Sequence, residues 1–156
     1  MKSNKGNNMN FKSIFIILIL IMISTGCGKG QFIEVKYSIE KMPGGNFQET
    51  VNGYFHNFDD IRKWRIYATD SYVKRVYSWC TGDYSEEETI NEMVKIYYEL
   101  NKHSLQLKSV DITKIETSEN NDVTISVMRT WENDQTDETN YFILLDNNEW
   151  KIDDRF

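Results

Sequence analysis

No apolar run in this chain is long enough to span a bilayer. The longest, Ile14 to Ile23, has ten residues, and as a helix it would rise about 15 Å, half of a ~30 Å hydrocarbon core. Histidine is scarce: His56 and His103 are the two, and neither stands in a metal-binding or triad spacing. Cysteine is equally scarce, with Cys27 and Cys80 alone, so no disulfide framework of the small secreted type is available and the fold must rest on packing. Basic residues are outnumbered, 18 against 24 acidic ones. Phosphate neutralisation by Lys and Arg supplies most nucleic-acid affinity, so nucleic acid is excluded as a partner. What the chain has instead is aromatic side chains, at 13% of its residues.

Lys2, Lys5 and Lys12 precede the apolar run, and Ser24, Thr25 and Gly26 follow it. Charged, apolar, then small is the order of an export signal. The stretch Ile23-Ser24-Thr25-Gly26-Cys27 resembles the lipobox of bacterial lipoproteins. That resemblance implies cleavage between Gly26 and Cys27 and a diacylglyceryl thioether on Cys27. It places the mature chain on the outer face of the bacterial cytoplasmic membrane, with the lipid as its membrane partner. Two acyl chains on one residue meet the two-signal requirement for stable anchoring. Loss of residues 1–26 leaves 130 residues, enough for one core. All three signal lysines leave and no acid does, so 15 basic residues face 24 acidic ones, a net charge of -9. Such a surface offers no polybasic patch to anionic lipid.

Residues 27–46 read as the lipidated cysteine, a tether and an N-terminal strand. Ile33, Val35, Tyr37 and Ile39 alternate with Glu34, Lys36, Ser38 and Glu40 before Met42-Pro43-Gly44-Gly45-Asn46 breaks the chain. The strand either packs on the domain, holding it against the bilayer, or hangs free as a segment able to add to a partner's sheet. Residues 47–156 form the domain. Phe47, Val51, Tyr54, Phe55 and Phe58 make one helical face. A second helix, capped by Asp59 or Asp60, carries Ile61, Trp64, Tyr67 and Ala68. Tyr72 to Trp79 reads as helix, with strand as the alternative. Ser85 and Glu88 suggest a capping box for a further helix through Ile90, Met93, Val94, Tyr97 and Leu100.

Period two then returns. Leu105 to Ile115 changes phase in a way that predicts bulges. Val123 to Met128 alternates, Glu132 to Glu138 reads as a polar loop, Tyr141 to Leu145 is apolar, and Trp150, Ile152 and Asp154 follow a turn at Asp146-Asn147-Asn148. Helices first and a four-stranded meander last predict an α+β fold, with helices on one face of a curved antiparallel sheet.

The aromatic first helix, the Asp60-Ile61-Arg62-Lys63-Trp64 helix ending in Tyr67-Ala68-Thr69-Asp70, the capped helix, the meander and the closing Glu149-Trp150-Lys151-Ile152 resemble the nuclear transport factor 2-like superfamily, of the cystatin-like folds. The resemblance spans residues 47–154. It implies a cone whose sheet and helices enclose a pocket, used in that superfamily by isomerases, dehydratases, dimerisation modules and exported lipoproteins, so the fold alone chooses no function.

Candidate chemistry is sparse. His56 and Asp59 are three residues apart near a helix end, the reach of a base and its orienter, although a solvated pair fits the same spacing. Cys80 follows Lys74 and Arg75, which can lower a thiol's pKa, while a buried, inert thiol is the simpler reading. Asn133 to Glu138 and Asp146 to Glu149 hold hard oxygen ligands but match no calcium loop. Asp83, Asp111 and Asp154 are the acids that an isomerase pocket could use. No metal or cofactor is expected. Trp64, Tyr67, Tyr98, Trp131, Tyr141 and Trp150 are the candidate pocket-lining residues, since aromatics serve both cores and apolar ligand sites. The resulting expectation is a membrane-anchored module binding a small apolar ligand or a protein partner, with homodimer formation left open. The alternatives are an enzyme using the same pocket and a scaffold subunit of a secretion or conjugation apparatus.

Overall fold

The order of elements follows the change of hydrophobic period along the chain. The computed structural model describes residues 33–39, 43–84 and 87–156; Gly26, Cys27 and Ser85 lie outside the described residues. The elements run β1 (Glu34–Tyr37), α1 (Phe47–His56), α2 (Ile61–Trp64), a 3-10 turn (Arg65–Tyr67), α3 (Asp70–Thr81), α4 (Ile90–Asn101), β2 (Leu107–Thr117), β3 (Val123–Trp131), β4 (Thr136–Asp146) and β5 (Glu149–Arg155). The five strands form one sheet in chain order. The fold is α+β, with helices packed on one face of a curved sheet.

β1 pairs parallel to β2, with Val35 opposite Val110 and Tyr37 opposite Ile112. Parallel neighbours need a crossover, and here the helices supply it. The strand ahead of the helices is therefore part of the sheet. Tyr37 anchors it further, its hydroxyl donating to Asn52 of α1 at 2.7 Å.

α1 buries Phe47, Thr50, Val51, Tyr54 and Phe55, the i, i+3, i+4, i+7, i+8 pattern of a core-facing helix. It is locked to the start of β5. The Thr50 hydroxyl donates to the Trp150 carbonyl at 2.9 Å, and the Trp150 indole donates to the Gly44 carbonyl at 3.0 Å. α1 also lies close to the 3-10 turn: a Cβ on Gly53 would sit 2.2 Å from Cζ of Tyr67, so any larger residue there would have to displace the Tyr67 ring.

The helix boundaries differ in two places from the sequence expectation, at α2 and at the cap of α4, and the helix expected over Tyr72 to Trp79 is present. α2 is a single turn before the chain tightens, with Asp60 as its cap, accepting from the Arg62 N–H. Tyr72 to Trp79 is helix, because the Thr69 side chain caps α3 and Gly82, at φ 74°, closes it in the left-handed region. The capping box of α4 belongs to Thr89 and Glu92, not to Ser85 and Glu88. Both pairs have the same spacing, but Thr89 stands directly before the apolar positions Ile90, Met93 and Val94, so its box closes onto a helix that can bury a face. Such a cap contributes about 1 kcal/mol.

β2 to β5 form the antiparallel meander. The phase changes of β2 are register shifts between Leu107 and Ser109 and between Ile112 and Lys114. β4 begins at Thr136, inside the stretch read as a polar loop: Asp137 stands opposite Arg129 and forms an ion pair with it, so polar residues extend this strand. Asn147 and Asn148, at φ 49° and 66°, turn β4 into β5, as a two-residue hairpin with two positive φ angles requires. Val123, Ile125, Val127 and Arg129 face the helices and are buried, while Met128 faces outward and is exposed.

Candidate functional site

The chain places its aromatics on two sides of Tyr54. One side is solid core: Tyr54 meets Phe55, Phe58 and Tyr141 at centroid distances of 5.1 to 5.8 Å, mostly edge to face. The other side opens into a cavity of about 210 Å³ bounded by α1, α2, α3, α4 and the end of β5. Its floor is Tyr54, Trp64 and Tyr72, each at most 3% exposed. Its rim includes Trp79 and Cys80 of α3, both exposed, and Asn101 of α4. Phe58, Val76 and Tyr97 complete the apolar wall.

Helical spacing explains the wall. Tyr72, Val76 and Trp79 recur at i, i+4 and i+7 on α3, and Tyr97 and Asn101 at i, i+4 on α4. The remaining liner, Arg155, comes from β5 for a different reason. Trp150 and Ile152 face the core, so strict alternation would turn Asp154 inward. A bulge intervenes: Ile152 pairs with Ile143 and Asp154 with Phe142, which leaves Asp153 as the extra residue. The face then inverts, and Arg155 stands opposite buried Tyr141.

The polar groups of the cavity are mostly spoken for. The hydroxyls of Tyr54 and Tyr72 bond each other at 2.9 Å. Burial pushes both phenols up, so they are neutral hydrogen-bonding groups across the physiological range. Burial raises Tyr97 as well. The Asn101 amide donates to the Tyr97 carbonyl at 2.9 Å and to Cys80 Sγ at 3.1 Å. Arg155 differs. Its Cζ stands 5.2 Å from the Trp79 ring, within cation–π range. Its backbone neighbour Asp154 is taken by Arg75. The Arg155 side chain also hydrogen-bonds the Tyr141 phenol and its charge helps to lower the Asp137 carboxyl, but among the described residues no carboxylate forms a direct ion pair with it.

No family model matches this chain, and no curated protein matches it. Among solved structures, an NTF2-like transpeptidase from Campylobacter jejuni is similar, at a TM-score of 0.30 and 19% identity over 54% of this chain and 87% of that one. The architecture described above stands on its own hydrogen bonds and packing, and so does the cavity.

Of the six aromatics expected to line a pocket, Trp64 lines this one. Tyr67 packs over Gly53. Tyr98 lies beneath the Arg62 guanidinium, 3.5 Å from its ring centroid. Trp131 meets Phe58 edge to face and lies under Arg129, Tyr141 is fully buried between sheet and α1, and Trp150 seals α1 against β5. Large aromatics fill whatever face their register gives them, so identity alone did not separate core from lining. The acids behave likewise. Asp111 accepts from Ser38 at 2.8 Å, Asp154 pairs with Arg75, and neither they nor Asp83 line the cavity. His56 and Asp59 are also outside it; Asp59 accepts the Leu107 N–H at 3.3 Å, and burial raises its carboxyl. Cys80 is exposed rather than buried, at the cavity rim. Apart from Trp64, none of the liners was assigned to a pocket by sequence reasoning; the helical repeats could have flagged those on α1, α3 and α4, and nothing in the local pattern flags the bulge behind Arg155.

Proposed function

We propose that this chain is a lipid-anchored, extracytoplasmic binding module that holds a small ligand in the cavity between its helices and β5. The observation that carries the reading is a cavity with a buried aromatic floor and one arginine that makes no direct ion pair with a described carboxylate. A few convergent polar groups in an apolar concavity are the usual make-up of a ligand site. The sequence Ile23 to Cys27 supports the anchor. Seven residue steps separate Cys27 from Glu34 at the start of β1, a reach of at most ~25 Å. A domain so tethered works close to the bilayer.

The pocket-enzyme alternative is less well served. Isomerase and dehydratase chemistry needs an acid or base in the pocket; the described lining residues include no carboxylate or imidazole, and burial raises the phenols of Tyr54, Tyr72 and Tyr97. Native mass spectrometry of the full chain, extracted in mild detergent from its own host, tests the binding reading. One bound small molecule per chain is expected; bare chain in every preparation contradicts it. The anchor has its own test. Cys27→Ser should abolish labelling by radioactive palmitate and release the chain from the membrane pellet, and a variant that still sediments with membranes contradicts the lipoprotein reading.

A further inference from the structure

The geometry points to the ligand class: we infer that the cavity takes a monocyclic aryl carboxylic acid, its ring on the Tyr54–Trp64–Tyr72 floor and its carboxylate on Arg155. This rests on the reading of the cavity as a ligand site. Volume sets the size. A cavity of about 150 Å³ accommodates benzene, and each water-sized addition takes ~30 Å³, so about 210 Å³ is matched in size by one six-membered ring and a carboxylate.

Hydrogen-bond accounting sets the charge. Both N–H groups of the Asn101 amide are spent, on Tyr97 and Cys80. The two floor phenols share one bond, which uses one of their two hydroxyl hydrogens. What remains around the cavity is mainly donor capacity: a phenol O–H and the N–H groups of Arg155 that its hydrogen bond to the Tyr141 phenol leaves over. A ligand of acceptor oxygens satisfies these groups, and a carboxylate fits the fork with two parallel bonds. A ligand lacking the ring would leave the aromatic floor wet, and one lacking the anion would desolvate a guanidinium without a partner.

The experiment is calorimetric titration of the full chain in detergent micelles, with fluorescence of Trp64 and Trp79 as a second signal. Phenylacetate, 2-phenylethanol and phenethylamine share a skeleton and differ in charge. Phenylacetate should bind roughly 10- to 100-fold more tightly than the alcohol, the ratio that a charged hydrogen-bonded pair provides. Arg155→Met should remove that ratio while leaving alcohol binding in place, and Arg155→Lys, which keeps the charge without the fork, should retain part of it. An unchanged urea midpoint certifies that the variants fold. Equal affinity for acid and alcohol overturns the acid assignment and leaves the cavity reading intact; no binding by any of the three overturns both. Naphthylacetate binding more tightly than phenylacetate overturns the single-ring limit. Tighter binding of acetyl-Gly-Gly-Phe would overturn the free acid in favour of a peptide carboxyl terminus.

Discussion

Arg129 and Arg155 approach the same buried phenol, Tyr141, one from β3 and the other from the register position beside it on β5. Both pull the Tyr141 phenol down, against the larger upward push of burial. Their surroundings then diverge. Arg129 is 8% exposed and forks onto Asp137 with two bonds of 2.7 Å, so its charge is answered within the fold. Arg155 has an aromatic face and a cavity where Arg129 has a carboxylate. The difference teaches that a guanidinium next to a packed core is not by itself a structural group. The pairing decides: Arg129 is held directly by Asp137, while Arg155 bonds the Tyr141 phenol, reaches Asp137 only through its field, and keeps further donors at an opening.

The comparison can be broken first at its shared element. Tyr141→Ala removes the ring that separates the two arginines and contacts Tyr54 and Phe55; it should cost about 3–5 kcal/mol in urea unfolding, the range for a large aromatic lost from a core. Next comes the pair itself. Asp137→Ala leaves Arg129 buried without its carboxylate, which should cost about 2 kcal/mol, below the 3–5 of a fully buried pair because Asp137 is 43% exposed. On the other side of Tyr54, Tyr72→Phe removes one member of the phenol pair on the cavity floor and should cost about 1 kcal/mol.

Titration sharpens the same contrast. The guanidinium of Arg129 holds the Asp137 carboxyl below its ordinary 3.8. A group with a depressed folded pKa contributes stability that is fully present above the unfolded value and is lost as pH falls through the folded one. Melting of wild type and Asp137→Asn, followed from neutral pH downward, should therefore show a gap that is constant above about pH 4 to 5 and closes at lower pH. A gap that widens on acidification would contradict the assignment.

How much of this was legible in the sequence differs between fold and site. The helical face from Phe47, the capped α4 and the alternation of β3 are written in periods of 3.6 and 2, and the phase slips of β2 appear as bulges. The strand at Thr136 was hidden because its polar residues are held by pairing with β3 rather than by burial of a face. The cap of α4 was misplaced by four residues because two Ser/Thr-x-x-Glu spacings follow one another, at Ser85 and at Thr89. The site was less visible still. Trp64 was found as an aromatic on a helix, but Tyr141 and Trp150 are the same kind of residue and are core. Arg155 could not be found from period two at all, since that period assigns the inward position to Asp154. A bulge is a property of two paired strands, and Asp153 has no local mark of being the extra residue.

The most direct measurement compares Arg129→Met with Arg155→Met in urea unfolding without ligand. If Arg129 serves the fold and Arg155 the cavity, the first should lose about 2 kcal/mol and the second should stay within about 0.5 kcal/mol of wild type or gain stability. Equal losses would contradict the division between the two arginines.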